Sequence, residues 1–381
     1  MIESMKAILK PRILGMFFGL LFLCSCATIH PPLPADVPMN KGAGRGDELF
    51  LTLHLADGQE LLFIVDTGGN GVLLDKSLEP KLGRCLRTSN ISPGYGMKTQ
   101  SLYRAPKLYL GNTQLRTGGW ICTADLSGFS HQLALTVHTN YPIMGVLGMS
   151  CLKHYCVQLD FAARKLRFLD AEHSDKHNWG KPFQLVDHRD RFWVDENLVG
   201  VKGPSSLIDT GCYYDGWLTP QLFQEWTNHV KPPAVGEARS SNGVLGGDNY
   251  PDINLGGREQ FNDIGLYFLA RHLVTFDFSH RTMYLKRTSI GPLIDEDTKA
   301  ARDFLKSLRA NNELPGCSKD DKWLMSVLGY PVSDVLDVWR NGDPTSYHYM
   351  VIRDAKDGSL RLQKAWRTDA KGNVIENYPV P

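Results

Sequence analysis

The chain has 381 residues, room for two or three domains of ~100–200 residues each. Hydrophobic residues make up 42% and charged residues 22%, which excludes a disordered chain, a collagen-like fibre and a coiled coil. Lys+Arg is 42 against Asp+Glu 41, a formal net charge of +1, so the composition gives no basic excess of the kind nucleic-acid binders carry. Gly 36 and Pro 21 lean toward many short strands and turns.

In chain order, Lys6, Lys10 and Arg12 form a basic start, and Ile13 to Leu23 is almost wholly apolar. That run is shorter than the ~20 residues a membrane-spanning helix needs, and it fits the apolar stretch of a secretory signal peptide. It ends Leu23-Cys24-Ser25-Cys26-Ala27. Leu23, the small Ser25 and then a cysteine resemble the lipobox of bacterial lipoproteins. The resemblance implies that Cys26 is acylated as the mature N-terminus, so that residues 1–26 are a lipoprotein signal peptide; a plain signal peptide with an incidental cysteine is the alternative. Several acyl chains on one cysteine would anchor the protein stably to a membrane. Residues 27–45 are rich in Pro and Gly without apolar period and read as a tether. Cys85, Cys122, Cys151, Cys156, Cys212 and Cys317 remain after such processing. An exported protein can oxidise some of them, but their connectivity is not readable.

The body contains a repeat. Leu61-Leu62-Phe63-Ile64-Val65 runs into Asp66-Thr67-Gly68, and Ser205-Ser206-Leu207-Ile208 runs into Asp209-Thr210-Gly211. One chance Asp-Thr-Gly in such a chain is expected roughly 0.1 times from average usage. Before the first lie an alternating strand over Glu48–Leu55 and a turn at Asp57-Gly58. Before the second lie a strand over Phe192–Val201 and a turn at Lys202-Gly203-Pro204. Each unit therefore reads as a hairpin whose second strand ends in Asp-Thr-Gly. Downstream, Ile143–Gly148 matches Ile264–Leu269 as an apolar segment containing Gly. Cys156–Phe161 and Lys165–Phe168 match Leu273–Phe278 and Arg281–Leu285 as strand, Arg-containing turn, strand.

Two motif pairs in matched order resemble the pepsin-like and retropepsin-like aspartic proteases, over about residues 46–290. That resemblance implies a mainly β chain: a bilobal β-barrel pseudo-dimer, with residues 46–175 and 176–290 as its lobes, acting as an aspartic endopeptidase. It implies Asp66 and Asp209 as the catalytic pair, supported by Thr67, Gly68, Thr210 and Gly211, with each Thr hydrogen-bonding across to the other loop. With both halves in one chain, a monomer suffices. No cofactor and no metal is implied; the partners are a polypeptide substrate and, through Cys26, a membrane of the bacterial cell envelope, on the periplasmic or exterior side.

The residue types suit that chemistry. Two carboxylates ~3 Å apart cannot both ionise easily and share one proton; one then takes a proton from water while the other protonates the carbonyl oxygen. Gly68 and Gly211 leave room for backbone beside the carboxylates. The residue after each motif departs from the family: Gly69 and Cys212 stand where a Ser, Thr or Ala is usual. The loss of a hydroxyl donor would raise a carboxylate pKa. A peptide-binding protein on the same scaffold, holding peptide without cutting it, is the alternative reading.

The segment Ile91–Lys98 falls where the family carries its flap, with Tyr95 between glycines as a candidate tip; an ordinary surface turn is the other reading. Ser240–Gly247 is its counterpart in the second unit. His173 and His177 have the spacing of helical metal ligands but lack any His-Glu-x-x-His context. After Pro292 the pattern changes. A helix is expected from Asp297 or Thr298 to about Leu308, with Ala301, Phe304, Leu305 and Leu308 on one face, then a second helix over 321–340. Strands follow at Tyr347–Arg353, Leu360–Trp366 and Val374–Tyr378. Residues 291–381 thus read as a small α+β appendage without a catalytic motif, either docking substrate or a partner or simply extending the packing.

Overall fold

The computed structural model describes residues 36–380 apart from 90–99, 128–141, 213, 228–237, 258–259, 295, 317–322, 328–333, 341–345, 355 and 370–372. Cys26, Tyr95 and Cys317 therefore lie outside the described residues. The chain is mainly β.

In the first half, the strand Phe50–Leu55 pairs antiparallel with Glu60–Val65 through the turn at Asp57-Gly58. Ile143–Leu147 inserts beside Glu60–Val65 in parallel and beside Val72–Asp75 antiparallel, within a nine-stranded sheet. In the second half, Phe192–Val194 pairs antiparallel with Ser206–Asp209, which takes Asn262–Gly265 as a parallel neighbour. Each motif strand is thus flanked by an antiparallel strand from before it and a parallel strand from far downstream. The strand expected over Phe192–Val201 is shorter than its sequence pattern. The amide nitrogen of Asn197 donates to the carbonyls of Val201 and Pro204, and its amide oxygen accepts from the Val199 and Val201 N–H groups, which folds the connection into a loop.

Both downstream segments end in a one-turn helix, Met149–Leu152 and Leu266–Leu269, started by Gly148 and Gly265. A Cβ on Gly148 would sit 2.2 Å from the Gly71 carbonyl oxygen, and one on Gly265 would sit 2.3 Å from that of Tyr214. The glycine in each apolar segment is thus where the helix start meets the loop beyond the motif. The strands that follow, Cys156–Asp160 and His272–Asp277, pair with each other antiparallel at the middle of a six-stranded sheet. Gln158 Nε2 donates to Thr275 Oγ1 there at 2.9 Å. Each continues through a turn with its arginine at positive φ, Arg164 at 56° and Arg281 at 51°, into Lys165–Leu169 and Thr282–Arg287. One hydrophobic core runs through both halves, including Leu49, Phe63, Leu159, Ile208, Phe268 and Phe276.

Residues 36–45 correct the expected tether. Val37–Pro38 pairs with Lys165–Leu166, Ala43 is buried, and Asp36 bridges to Lys165 and Arg167. The Pro and Gly residues here serve a packed turn, because Val37, Met39 and Ala43 have apolar surface to bury against the six-stranded sheet.

The appendage has its own core: Ala301 and Leu305 of helix Glu296–Ala310, with Tyr347, Tyr349, Val351, Leu362 and Ala365. Phe304 and Leu308 pack against it, so the expected helix face is the buried one. The second helix expected over 321–340 is instead two strands, Trp323–Val327 and Asp334–Arg340, which pair with each other and then with Ser346–Arg353. The ladder to Ser346–Arg353 sets this segment as strand, a pairing between segments that no local pattern carries. The result is a five-stranded meander.

Candidate active site

The two motifs meet. Asp66 follows the strand Glu60–Val65 and its N–H donates to the Leu147 carbonyl at 3.1 Å; Asp209 closes its strand opposite Gly265. Both are held by neighbours that are themselves buried on all sides, Val65, Leu147, Ile208 and Ile264 among them.

The threonines lock the loops together. Thr67 Oγ1 donates to the Ile208 carbonyl at 2.7 Å and accepts the Thr210 N–H at 3.0 Å. Thr210 Oγ1 donates to the Val65 carbonyl at 2.7 Å and accepts the Thr67 N–H at 3.0 Å. Four bonds between residues 141 to 145 apart in sequence form a closed reciprocal set. Each hydroxyl satisfies a backbone donor and a backbone acceptor that would otherwise be buried without a partner. Thr67 and Thr210 are accordingly buried.

The glycines face the opposite carboxylates. A Cβ on Gly68 would lie 2.4 Å from Asp209 Cγ; one on Gly211 would lie 2.9 Å from Asp66 Oδ1 and 3.2 Å from Asp209 Oδ1. Each loop also turns an N–H onto its own aspartate: Gly69 N to Asp66 Oδ1 and Gly211 N to Asp209 Oδ1, both at 2.8 Å. The two carboxyl groups come together beside Gly211, where a Cβ would touch both. Asp209 keeps a partly exposed edge, yet desolvation first, and then the charge of Asp66, push its carboxyl well above the usual range. The sequence-predicted residues Asp66, Thr67, Gly68, Asp209, Thr210 and Gly211 are therefore one cluster.

The two departures have distinct surroundings. A side chain on Gly69 would start 2.8 Å from Asp66 Oδ2, so the bare backbone leaves that oxygen uncrowded. Cys212 is buried under the second loop, its Sγ 2.8 Å from where a Cβ on Gly265 would be. Burial, with the charges of Asp263 and Asp209, pushes its thiol well up, so it sits there as a neutral SH group. Cys85, Cys122, Cys151 and Cys156 are free thiols too; burial takes those of Cys151 and Cys156 up to about 12.

The strands Arg87–Ser89 and Gln100–Arg104, before and after the expected flap segment in sequence, pair antiparallel, and the expected tip Tyr95 lies outside the described residues. The counterpart segment in the second half is a hairpin, Ala238–Leu245 with Asp248–Gly256, turning at Gly246-Gly247. His173 pairs with Asp170, and His177 lies in a short 3-10 turn capped by Asp175.

Two residues near the pair escaped the sequence reading. The hairpin register Phe50↔Ile64, continued by the Val65 N–H to Leu49 carbonyl bond, sets Glu48 opposite Asp66. The register Trp193↔Leu207, extended by two residues, sets Arg191 opposite Asp209. Counting back from each turn would have found both. Arg191 Nε donates to Asn70 Oδ1 at 2.6 Å, across to the first loop, and its charge draws the Asp209 carboxyl downward against the larger upward effects.

No protein-family model matches the chain, and no curated protein matches it. Among solved structures it is similar to the crystal structure of basic 7S globulin from soybean, at 14% identity and a TM-score of 0.42, over 68% of this chain and 96% of that one.

Proposed function

We propose that this protein is an aspartic endopeptidase built as a pepsin-like pseudo-dimer, with the Asp66–Asp209 pair as its catalytic centre. The observation that carries the reading is the meeting of two carboxyls from sequence-distant Asp-Thr-Gly loops, locked by the reciprocal threonine bonds. Such a pair shares one proton and titrates as a unit. The ionised member takes a proton from a water as it attacks the peptide carbonyl; the protonated member gives its proton to the carbonyl oxygen. No bond forms between enzyme and substrate in this scheme. The loop N–H groups of Gly69 and Gly211 hold one oxygen of each carboxyl in place, leaving the other oxygen of each for water. An extended peptide would lie across the pair as an added strand. Acylation at Cys26 would hold the enzyme on a membrane of the bacterial cell envelope, facing the periplasm or the exterior.

The test is cleavage by the full chain purified in detergent, beside Asp66→Asn and Asp209→Asn. Each is incubated with unfolded protein and a mixed peptide library from about pH 3 to 8, and products are read by mass spectrometry. Loss of one general acid or base lowers the rate about 10²–10⁴-fold, so both variants should fall to background. Folded wild-type chain that cuts nothing at any pH would sink the endopeptidase and favour a peptide-binding role.

A further inference from the structure

Glu48 is buried to 3% exposure and, among the described residues, its Oε2 has no hydrogen-bond partner. It stands opposite Asp66 on the adjoining chain segment, one step beyond a hydrogen-bonded position, because the Val65 N–H bonds the Leu49 carbonyl. Directly opposed residues of that kind project to the same face with their Cβ atoms roughly 4.5–5.5 Å apart. The face is the one that carries Phe50 and Ile64. The backbone on either side is pinned: Asn40 Nδ2 donates to the Glu48 carbonyl, and Asn40 Oδ1 accepts the Phe50 N–H. This is why the segment 36–45 is packed and not loose: its Asn40 holds the strand end that presents Glu48.

The charges that act on Glu48 are those of acids. Asp47 precedes it, Asp66 comes from the first loop, and Asp209 from the second; the Cys212 thiol feels its charge as well. Arg191, a cation near the pair, acts on Asp209. A buried carboxylate with an unpartnered oxygen and other carboxylates acting on it is costly to keep charged, and such a group holds its proton instead. Desolvation first, then the charges of Asp209, Asp66 and Asp47, hold the Glu48 carboxyl well above the usual carboxylate range.

We propose that Glu48 is a third carboxyl of the Asp66–Asp209 site, a positioning residue that remains a neutral acid and so limits the site to one negative charge. An ionised Glu48 would set a second negative charge beside Asp66 and make the pair hold its proton to higher pH. The neutral acid fills the same volume without that charge. The consequence for catalysis rests on the endopeptidase reading; the protonation itself does not.

Two measurements decide the protonation without any cleavage. In wild-type chain with 13C-labelled glutamate carboxyls, one glutamate should keep its acid-form shift through pH 7, and Glu48→Gln should remove that signal. Ionisation of every glutamate by about pH 6, well past the ordinary value near 4.3, overturns the proposal without any variant having to fold. The second is unfolding of wild type against Glu48→Gln. The unfolded chain releases this proton near pH ~4.3 and the folded chain keeps it, so wild type loses stability as pH rises. Its folding constant relative to the Gln variant should fall by up to about tenfold per pH unit above that point. A difference that is flat with pH overturns the proposal. If the wild type cleaves peptide, the acid limb of the Gln variant's pH profile should stay at the wild-type position whatever the change in rate; a limb moved down by about one unit in the variant would show a charged Glu48. Absence of cleavage counts against the endopeptidase and leaves the first two measurements to decide Glu48.

Discussion

The two halves grip each other with the same four bonds yet set different groups beside their aspartates, a buried acid and a cation. Opposite Asp66 stands Glu48, buried and acted on by the charges of acids; opposite Asp209 stands Arg191, partly exposed and bonded across to Asn70. The one-turn helices differ in the same way. Position by position after Gly148 and Gly265, exposed His154 matches Arg271, which is wholly buried. Arg271 bonds both oxygens of Asp215 at 3.0 and 3.1 Å and the carbonyls of Pro251 and Asp252. A duplicated backbone therefore carries symmetric locking and asymmetric electrostatics. The locking sits where both halves need it; the charges sit where each half alone can tune one carboxyl.

The largest break in this comparison is expected at Arg271. Arg271→Met leaves Asp215 charged and buried, which costs about 3–5 kcal/mol, and urea unfolding should show it. Asp215→Leu in the same chain should recover most of the loss, since an apolar pair of similar volume is often neutral. His154→Met at the matching exposed position should be within about 0.5 kcal/mol of wild type. A similar cost at both positions would remove the asymmetry.

The locking should behave in the opposite manner. Thr67→Val and Thr210→Val each strip a partner from one buried carbonyl and one buried N–H, at about 1–3 kcal/mol per orphaned group. The two single variants should lose nearly equal stability, about 2–6 kcal/mol each by the same reasoning. The double variant should lose less than the sum, because the two hydroxyls complete one set of bonds. Unequal singles, or strict additivity, would mean that the two loops are held by something other than this reciprocal set.

A third difference titrates. His272 is buried against Tyr250 and Phe268, and desolvation takes its pKa down to about 4, while its first-half match is Tyr155. In the unfolded chain a histidine protonates near 6.5. The stability this neutral ring contributes is fully present above about pH 6.5 and lost as pH falls through the folded value. At roughly 1.4 kcal/mol for each pH unit between those two values, the loss approaches about 3 kcal/mol. His272→Phe should flatten the acid side of the stability curve over that interval, read as thermal midpoints against pH. An unchanged slope would place the acid sensitivity elsewhere.

Much of the locking was legible in sequence because it depends on identity at fixed spacing: Asp-Thr-Gly twice, each behind an apolar run, with Gly148 and Gly265 downstream. The helix face of Ala301, Phe304, Leu305 and Leu308 was legible for the same reason, a period within one short window. What escaped depends on pairing between distant segments. Strands Trp323–Val327 and Asp334–Arg340 became strands through the ladder to Ser346–Arg353, which no local period announces. Residues 36–45 looked like a tether because Pro and Gly dominate, while Asn40 and Asp36 act through partners at Glu48, Phe50, Lys165 and Arg167. Glu48 and Arg191 required a register, and a register is set only once the hairpin turn is placed.

Arg191 supplies the smallest effect and the sharpest contrast with Glu48. Its charge favours ionised Asp209, so Arg191→Gln should make the pair hold protons to higher pH. Under the endopeptidase reading both limbs of the pH–rate bell then move up. The side chain is partly exposed, where an ion pair is worth about 0.2–1 kcal/mol, which moves the limbs by at most about 0.7 pH unit. Arg191→Lys keeps the charge and alters the contact with Asn70, so its profile should stay with wild type. If Lys behaves like Gln, the bond to Asn70 is what matters, and Arg191 serves the joining of the loops and not the charge of Asp209. A moving profile for Arg191→Gln beside a still one for Glu48→Gln would mean that one half tunes the pair with a charge and the other by withholding one.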